Sequence, residues 1–354
     1  MAKEKHSEDF IHPLHAWNPP VHWPRITTID VHTAGEPLRV IVTGYPELPG
    51  QTILARRRYA ADHFDYLRKI LMWEPRGHAD MYGCVITPPT SRDAHFGVLF
   101  LHNEGYSSMC GHGIIAVTKV AVETGLVAKT HPVTVVRIDS PAGVITAYAK
   151  INRGIVESVV FRNVPSFVLA LDEIVDVPGL GEIRYDLAFG GAFYAYVQAD
   201  QCGLKCVPEE FRALIDKGMA IKKAIMKSRT IPHPFEPDLS SLYGTIFIAP
   251  PIGSGAGSRN VCIFADGEVD RSPTGTGVSG RLAIHFARKE VGIMQRIVVE
   301  SILGTKFIGQ VVETLVFGNH NAVIPEVEGT AYITGRNEFL IDPEDPLRNG
   351  FILR

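Results

Sequence analysis

The sequence predicts an α+β protein with two pseudo-symmetric domains, and three observations support this class. At 354 residues, the chain is long enough for two domains. After residue 24, it alternates strand-like segments with a few helical ones. Three short segments of the first half recur in the same order in the second half. We therefore interpret the chain as a duplicated unit.

The composition is typical of a globular protein and excludes several classes of function. Hydrophobic residues make up 45% of the chain and charged residues 21%, with a formal net charge of -3. No stripe of Lys and Arg interleaved with aromatic residues is present, so nucleic acid is not an expected partner. No apolar run reaches membrane-spanning length, and the first ten residues are too charged for a signal peptide. We expect a cytoplasmic protein with no membrane partner.

The N-terminal segment, residues 1–24, is predicted to form an arm. It contains four prolines and shows no helical or strand period. The histidines His12, His15 and His22 could chelate a metal, but no ligand spacing repeats among them. An arm that packs on the protein surface or on a partner subunit is the favoured interpretation.

The cysteines are five in number and irregularly spaced, which argues against a disulfide framework. Cys202 and Cys206 could bind a metal, but no second pair lies nearby in the sequence, so no metal site is predicted. We expect these two, together with Cys84 and Cys262, to be buried as small apolar residues. Cys110 differs from the other four because it lies in a glycine-rich segment.

The repeated segments are glycine-containing turns and helix starts. In each half, a strand leads through a polar loop to a glycine-rich helix start. Such turns can look alike by chance, but here the secondary-structure context matches as well as the residues. The paired segments are 29–35 with 185–191, 108–113 with 272–277, and 140–143 with 301–304.

The two helix starts are the candidate ligand-binding feature. Glycines there allow a ligand to approach the unpaired backbone N–H groups of the first helical turn. Two such starts facing each other would bind a carboxylate strongly. At the first of them, the helix dipole and the N–H donors are expected to lower the pKa of Cys110 towards neutrality. Cys110 is therefore a candidate base or nucleophile.

Two other functional readings are disfavoured. The glycine-rich residues 253–257 suggest a nucleotide loop, but a strand-like segment follows them where a dinucleotide site needs a helix. Cys110 and His112 make a poor protease pair, because residues two apart at a helix start are expected to point to different sides.

Residues 109–113 and 270–277 resemble the two active-site signatures of the proline racemase family. This family includes 4-hydroxyproline epimerases and trans-3-hydroxy-L-proline dehydratases. Residues 30–37 and 75–83 are also similar, and the resemblance covers roughly residues 25–345. It implies a fold like that of diaminopimelate epimerase, in which two domains each wrap a curved sheet around a central helix. It also favours a homodimer.

The resemblance further implies a division of the chain and an active-site cleft between the domains. The first domain would comprise residues 25–168 and about 337–354, because the final segment returns to the first domain in relatives. The second domain would comprise residues 169–336.

The resemblance implies a reaction that needs no metal or cofactor. Racemases and epimerases of the family have a cysteine at both helix starts, whereas the second position here is Thr274. A threonine hydroxyl is too weak an acid to exchange a proton with a carbon acid. The pattern of Cys110 with Thr274 is that of the family's dehydratases, which convert trans-3-hydroxy-L-proline to Δ1-pyrroline-2-carboxylate. The alternatives are a proline racemase or 4-hydroxyproline epimerase in which water replaces the second cysteine, and a binding protein without catalysis.

Further roles follow from the same resemblance. Asp270 has Tyr106 as its counterpart in the first half, which favours a functional role over that of an ordinary cap residue. Thr274 either assists the departing hydroxyl or only fills space, and we favour the passive role. The implied substrate contacts are the backbone N–H groups of Gly111, His112, Gly275 and Thr276 for the carboxylate, His112 and Asp270 for the ring nitrogen, and Tyr82 and Phe264 for an apolar wall.

Overall fold

The structure is a computed structural model that describes Leu14 and residues 16–353. Residues 1–13 and 15 of the predicted arm, among them His12 and His15, lie outside the described residues. The α-helices are α1 (Ile53–His63), α2 (Asp65–Met72), α3 (Gly111–Glu123), α4 (Phe211–Ser228) and α5 (Gly275–Ala287). Short 3-10 helices span Ala199–Cys202, Pro208–Glu210 and Pro237–Leu239.

The strands of the first half are β1 (Arg25–Thr33), β2 (Glu36–Thr43), β3 (Gly83–Thr87), β4 (Phe96–Leu101), β5 (Tyr106–Ser107), β6 (Val133–Ser140), β7 (Gly143–Asn152) and β8 (Ile155–Arg162). The strands that follow are β9 (Ser166–Val177), β10 (Gly181–Phe189), β11 (Phe193–Gln198), β12 (Leu242–Ala249), β13 (Ser258–Phe264), β14 (Glu268–Val269), β15 (Ile297–Glu300), β16 (Lys306–Phe317), β17 (His320–Gly329) and β18 (Ala331–Leu340).

The two halves have the same strand order, which confirms the predicted pseudo-symmetry. The first half runs β18, β1, β2, β3, β4, β6, β7, β8 across the sheet. The second half runs β9, β10, β11, β12, β13, β15, β16, β17. The parallel pairs, β2 with β3 and β4 with β6, recur as β11 with β12 and β13 with β15. The other pairs in both series are antiparallel.

Each half wraps its sheet around one helix. Helix α3 packs on β1 and β2 and also on β7 and β8, which lie at the other end of the same sheet. Helix α5 similarly packs on β9, β10, β16 and β17. A single helix can contact distant strands of one sheet only if the sheet curves around it, so the predicted fold class is confirmed.

The sequence of α3 explains why this helix is central. Its residues 114–118 and 120–122 are all buried, so the helix is apolar on every side and not on one stripe. Lys119 interrupts this buried stretch, and its Nζ donates to the Val156 carbonyl 3.0 Å away. Because the helix is surrounded by the core, its N-terminus is held in a defined place.

The chain returns to the first half at its end. Strand β18 pairs with β1 along its whole length, from Ala331 opposite Thr33 to Leu340 opposite Arg25. It occupies the place that β9 has beside β10 in the second half. Strand β17 joins the halves by pairing with β8 of the first half, and it also pairs with β9 of its own half. The division at residues 168/169 and 336/337 stays a prediction.

Two further features bear on the expectations from composition. Within the described residues, no helix combines the length and the apolar character that crossing a membrane requires. All five cysteines are free thiols and all are buried.

Candidate active site

The two helix starts meet at a pair of glycines. A Cβ atom built on Gly111 would lie 2.6 Å from the Gly275 Cα, and one built on Gly275 would lie 2.8 Å from the Gly111 Cα. In both cases the added Cβ would meet a backbone atom, which cannot move aside as a flexible side chain can. The N-termini of α3 and α5 therefore face each other, and their backbones lie so close at Gly111 and Gly275 that neither position has room for a side chain.

Replacing Gly111 by alanine is expected to destabilise the protein by about 1–3 kcal/mol through overpacking. The direction of this change in the free energy of unfolding is informative, because replacing glycine by alanine inside an ordinary helix stabilises a protein by up to about 1 kcal/mol. Urea unfolding measures the difference. Gly105→Ala is the matched control, since nothing lies within 4 Å of its added Cβ, and we expect a change within about 0.5 kcal/mol. A stability of Gly111→Ala equal to or above that of the parent would contradict the close approach.

One small cavity lies beside this contact, and all nine residues predicted from the sequence line it. Its volume is about 20 Å³, roughly the space that one water molecule needs. A substrate therefore enters only when the lining residues move apart. The lining consists of Tyr82, Met109, Cys110, Gly111, His112, Tyr194, Tyr243, Phe264, Asp270, Thr274, Gly275 and Thr276.

Cys110 is the N-cap of α3, and its Sγ accepts a hydrogen bond from the Gly113 N–H at 3.2 Å. Burial is the largest influence on this thiol and raises its pKa well above the ordinary value. The Gly113 N–H acts in the opposite direction, and the negative charge of Asp270 raises the pKa further. The lowered pKa predicted from the helix start is therefore wrong for this closed site, because desolvation outweighs the N-terminal donors.

His112 lies against the Cys110 thiol. Its Nδ1 is 3.2 Å from Sγ, so the expectation that the two side chains point apart is wrong. The extended backbone of Cys110, with φ at -143°, turns its side chain towards the helix start and the imidazole. Burial lowers the pKa of His112, with Asp270 and the Pro37 carbonyl opposing this. A neutral imidazole can accept the proton that the thiol releases.

Asp270 faces the same cavity from the second half and is 3% exposed. Its Oδ1 accepts the Ser272 N–H at 2.7 Å, a local turn that fixes the carboxylate. A carboxylate so placed can bind a cationic nitrogen in the cavity.

Thr274 is the N-cap of α5 and thus the structural counterpart of Cys110. Its φ is +65°, a conformation that is rare for a β-branched residue. Its Oγ1 is buried and has no hydrogen-bond partner of normal geometry. The Cys262 thiol is nearby: burial raises the pKa of that thiol, and the Thr274 hydroxyl acts in the opposite direction. The second helix start therefore presents a methyl and a hydroxyl group where the first presents a thiol.

Aromatic side chains form one wall of the cavity. The Tyr82 ring is perpendicular to the His112 ring at 4.9 Å, and its hydroxyl is 2.6 Å from Ser107 Oγ. Tyr243 packs on Phe264 with ring centroids 5.4 Å apart. Burial raises the pKa of both tyrosines well above the ordinary value, so they are neutral phenols.

Sequence reasoning missed three of the lining residues, Met109, Tyr194 and Tyr243. The Tyr194 hydroxyl is hydrogen-bonded to Thr276 Oγ1 at 2.7 Å and thus helps to hold the second helix start in place. The repeated turn at 190–191 shortly before Tyr194 was a usable signal for it. Tyr243 had no such signal, since it is the second residue of an ordinary apolar strand. Among the described residues, no group of three or more His, Cys, Asp or Glu side chains is arranged to hold a metal ion.

Comparison with known proteins decides the family. Residues 28–352 match the family model described as proline racemase. The chain belongs to the proline racemase family. Two solved structures are similar to this chain over most of its length. A hydroxyproline epimerase from Agrobacterium vitis with bound trans-4-hydroxy-L-proline is 32% identical, with a TM-score of 0.89 and coverage of 94% of this chain and 96% of that one. A probable proline racemase from Agrobacterium radiobacter with bound carbonate is 32% identical, with a TM-score of 0.88, covering 93% of this chain and 96% of that one.

Curated relatives are more similar still. A trans-3-hydroxy-L-proline dehydratase from Colwellia psychrerythraea is 51% identical over 341 residues, which cover 96% of each chain. The human trans-3-hydroxy-L-proline dehydratase is 45% identical over 341 residues, 94% of this chain and 95% of that one. This chain is thus more similar in sequence to these two dehydratases than to the two solved structures.

Proposed function

We propose that this protein dehydrates trans-3-hydroxy-L-proline to Δ1-pyrroline-2-carboxylate. The single observation that carries the proposal is the asymmetry of the two helix starts, with a thiol at Cys110 and a hydroxyl at Thr274. Relatives at 51% and 45% identity that are named for this reaction support it. One base is sufficient for an elimination, whereas inversion of a carbon centre requires an acid on the opposite face as well.

In the proposed reaction, the Cys110 thiolate takes the α-proton of the substrate. The electron pair forms a C2=C3 double bond while the C3–O bond breaks, and the hydroxide leaves with a proton as water. The resulting enamine tautomerises to the cyclic imine. The hydroxyl and the α-hydrogen of the trans-3 isomer lie on one ring face, so Cys110 can return the proton to the leaving oxygen.

The two helix starts stabilise the charge that grows on the carboxylate. The first N–H groups of a helix have no intrahelical partner, and those of Gly111, His112, Gly275 and Thr276 border the cavity. Donors fixed in advance in a closed site contribute on the order of 3 kcal/mol each to the barrier in other enzymes. Burial is the main cause of the raised pKa of Cys110, and the negative charge of Asp270 adds to it. The cationic nitrogen of the substrate beside Asp270 offsets this second cause and so favours the reactive thiolate.

The test is to incubate the purified protein with trans-3-hydroxy-L-proline, without added metal or cofactor, and to follow the cyclic imine. Parallel samples in D₂O contain L-proline or trans-4-hydroxy-L-proline. We expect imine from the first substrate and no inversion of the other two. Inversion without imine would contradict the proposal and identify a racemase or epimerase, the activity for which the two solved structures are named.

Thr274 is proposed to be a passive occupant of the site. Replacing it by valine, which has the same shape without the hydroxyl, is expected to change kcat for imine formation by less than about tenfold, since no general-acid contribution of 10²–10⁴ is lost. Steady-state kinetics with the folded variant measure this. Abolished turnover with intact substrate binding would show that the hydroxyl assists the departing oxygen.

The proposed partner is a small hydroxyproline-like imino acid. The homodimer and the cytoplasmic location stay predictions from the sequence.

A further inference from the structure

The backbone on both sides of Asp270 is held by carboxyl groups of the other half. The N–H of Val269 donates to Asp80 Oδ1 at 3.2 Å, and the N–H of Arg271 donates to Glu36 Oε2 at 2.6 Å. The Arg271 guanidinium also donates to Asp80 Oδ2 at 2.9 Å. Asp270 thus belongs to the second half, while its immediate neighbours are hydrogen-bonded to the first.

Glu36 is buried in a way that fits a neutral acid. Its side chain is fully buried, and its second oxygen, Oε1, is buried without a hydrogen-bond partner. Burial and the nearby Asp270 raise the pKa of Glu36 well above the ordinary value. A protonated carboxyl group still accepts the Arg271 N–H through its carbonyl oxygen. Glu36 therefore holds the loop beside Asp270 through a carboxyl group whose pKa burial raises, so that its neutral form is favoured.

Two further hydrogen bonds between the halves hold the chain next to the Asp270 loop and next to Glu36. The N–H of Asn103 in the first half donates to Glu268 Oε1 at 2.6 Å, just before the Asp270 loop. The turn that precedes Glu36 accepts a hydrogen bond at Ala34 O from Thr305 Oγ1 of the second half at 2.8 Å. The loop and the turn are thus fixed to each other across the boundary between the halves.

We propose that Glu36, together with Asp80, is a positioning residue that places Asp270 opposite Cys110 and His112 when the halves are together. The inference rests on the proposed function, in which Asp270 binds the ring nitrogen of the substrate. The nitrogen site is complete only in the closed arrangement, because the groups that hold the Asp270 loop come from the half that carries the base. Glu36 acts through the backbone of Arg271 and does not itself contact the substrate.

The test compares two ligands that are not dehydrated, L-proline and cyclopentanecarboxylate, by calorimetry. They share the ring size and the carboxylate, but only proline has the cationic nitrogen. The ratio of their affinities therefore reports the nitrogen site, and general damage to the fold affects both ligands alike. We expect the parent to prefer proline by about tenfold or more and Asp270→Asn to lose this preference.

Glu36→Ala removes the acceptor of the Arg271 N–H and is expected to lose at least about tenfold of the preference for proline. Glu36→Gln resembles the neutral acid and retains an acceptor oxygen, so it is expected to restore the preference. Asp139→Ala is the matched control. The Asp139 carboxylate accepts the N–H groups of Thr90 and Ser91 within the first half, at 2.6 and 2.8 Å. We expect this variant to keep the parental preference.

Each outcome is decisive for one proposal. A parental preference in Glu36→Ala would overturn the positioning role. If Glu36→Ala does not fold, Glu36→Asp decides, because its shorter side chain cannot reach the Arg271 N–H and should lower the preference; an unchanged ratio there would overturn the inference. A parent that does not prefer proline, or Asp270→Asn that still does, would refute the nitrogen site itself. The imine assay tests the reaction separately.

Discussion

Replacing Cys110 by serine is expected to lower the rate of imine formation from trans-3-hydroxy-L-proline by about 10²–10⁴-fold, the usual contribution of a general base. Serine preserves the size of the side chain and can still accept the Gly113 N–H that Cys110 accepts. Its hydroxyl is a much weaker acid than the thiol, so its conjugate base is too rare to take the α-proton. Substrate binding should change little, since the helix N–H groups and Asp270 remain in place.

The measurement is the initial rate of imine formation together with the affinity for L-proline. Cys202→Ser is the matched control, because Cys202 is a buried thiol that does not line the active-site cavity. We expect the control to retain the parental rate. A Cys110→Ser protein that binds proline and still forms imine at the parental rate would show that another group is the base.

Much of the fold was predictable because the chain repeats itself. The paired turns at Gly35 and Gly191 and the paired helix starts at Gly111 and Gly275 lie at equivalent places in the two halves. Tight turns and close backbone contacts restrict the residue to glycine, so they leave a readable pattern. The strand order was not among the predictions, and the structure shows that it repeats because each half builds the same sheet around its helix.

The electrostatics of the site were not predictable in the same way. The direction of the Cys110 pKa shift depends on burial by side chains from several elements, which no local pattern records. The contact between Cys110 and His112 depends on the extended backbone at Cys110. Glu36 stood in a segment that resembles the family, yet only the folded chain shows that it is buried beside Asp270.

Replacing Thr274 by cysteine is expected to give the protein a new activity, inversion of the α-carbon. Thr274 and Cys110 are the N-caps of equivalent helices, so the substitution places a thiol at each helix start. The strain at φ +65° is also reduced, because cysteine is unbranched at Cβ. We expect trans-4-hydroxy-L-proline, which has no leaving group at C3, to be epimerised at least about 10²-fold faster than by the parent.

Formation of the opposite epimer and uptake of solvent deuterium at the α-carbon measure this gain in epimerase activity.

Thr274→Ser is the control, since it removes the branch at Cβ and keeps a hydroxyl, and it should show no gain in epimerase activity. Equal exchange in the serine and cysteine variants would mean that relief of strain, not a second thiol, opens the opposite face to solvent. No exchange in a cysteine variant that binds the ligand would mean that the new thiol does not reach the α-carbon. In that case, Cys110 and Thr274 would differ in backbone geometry as well as in chemistry. The proposed dehydratase would then differ from an epimerase by more than one side chain.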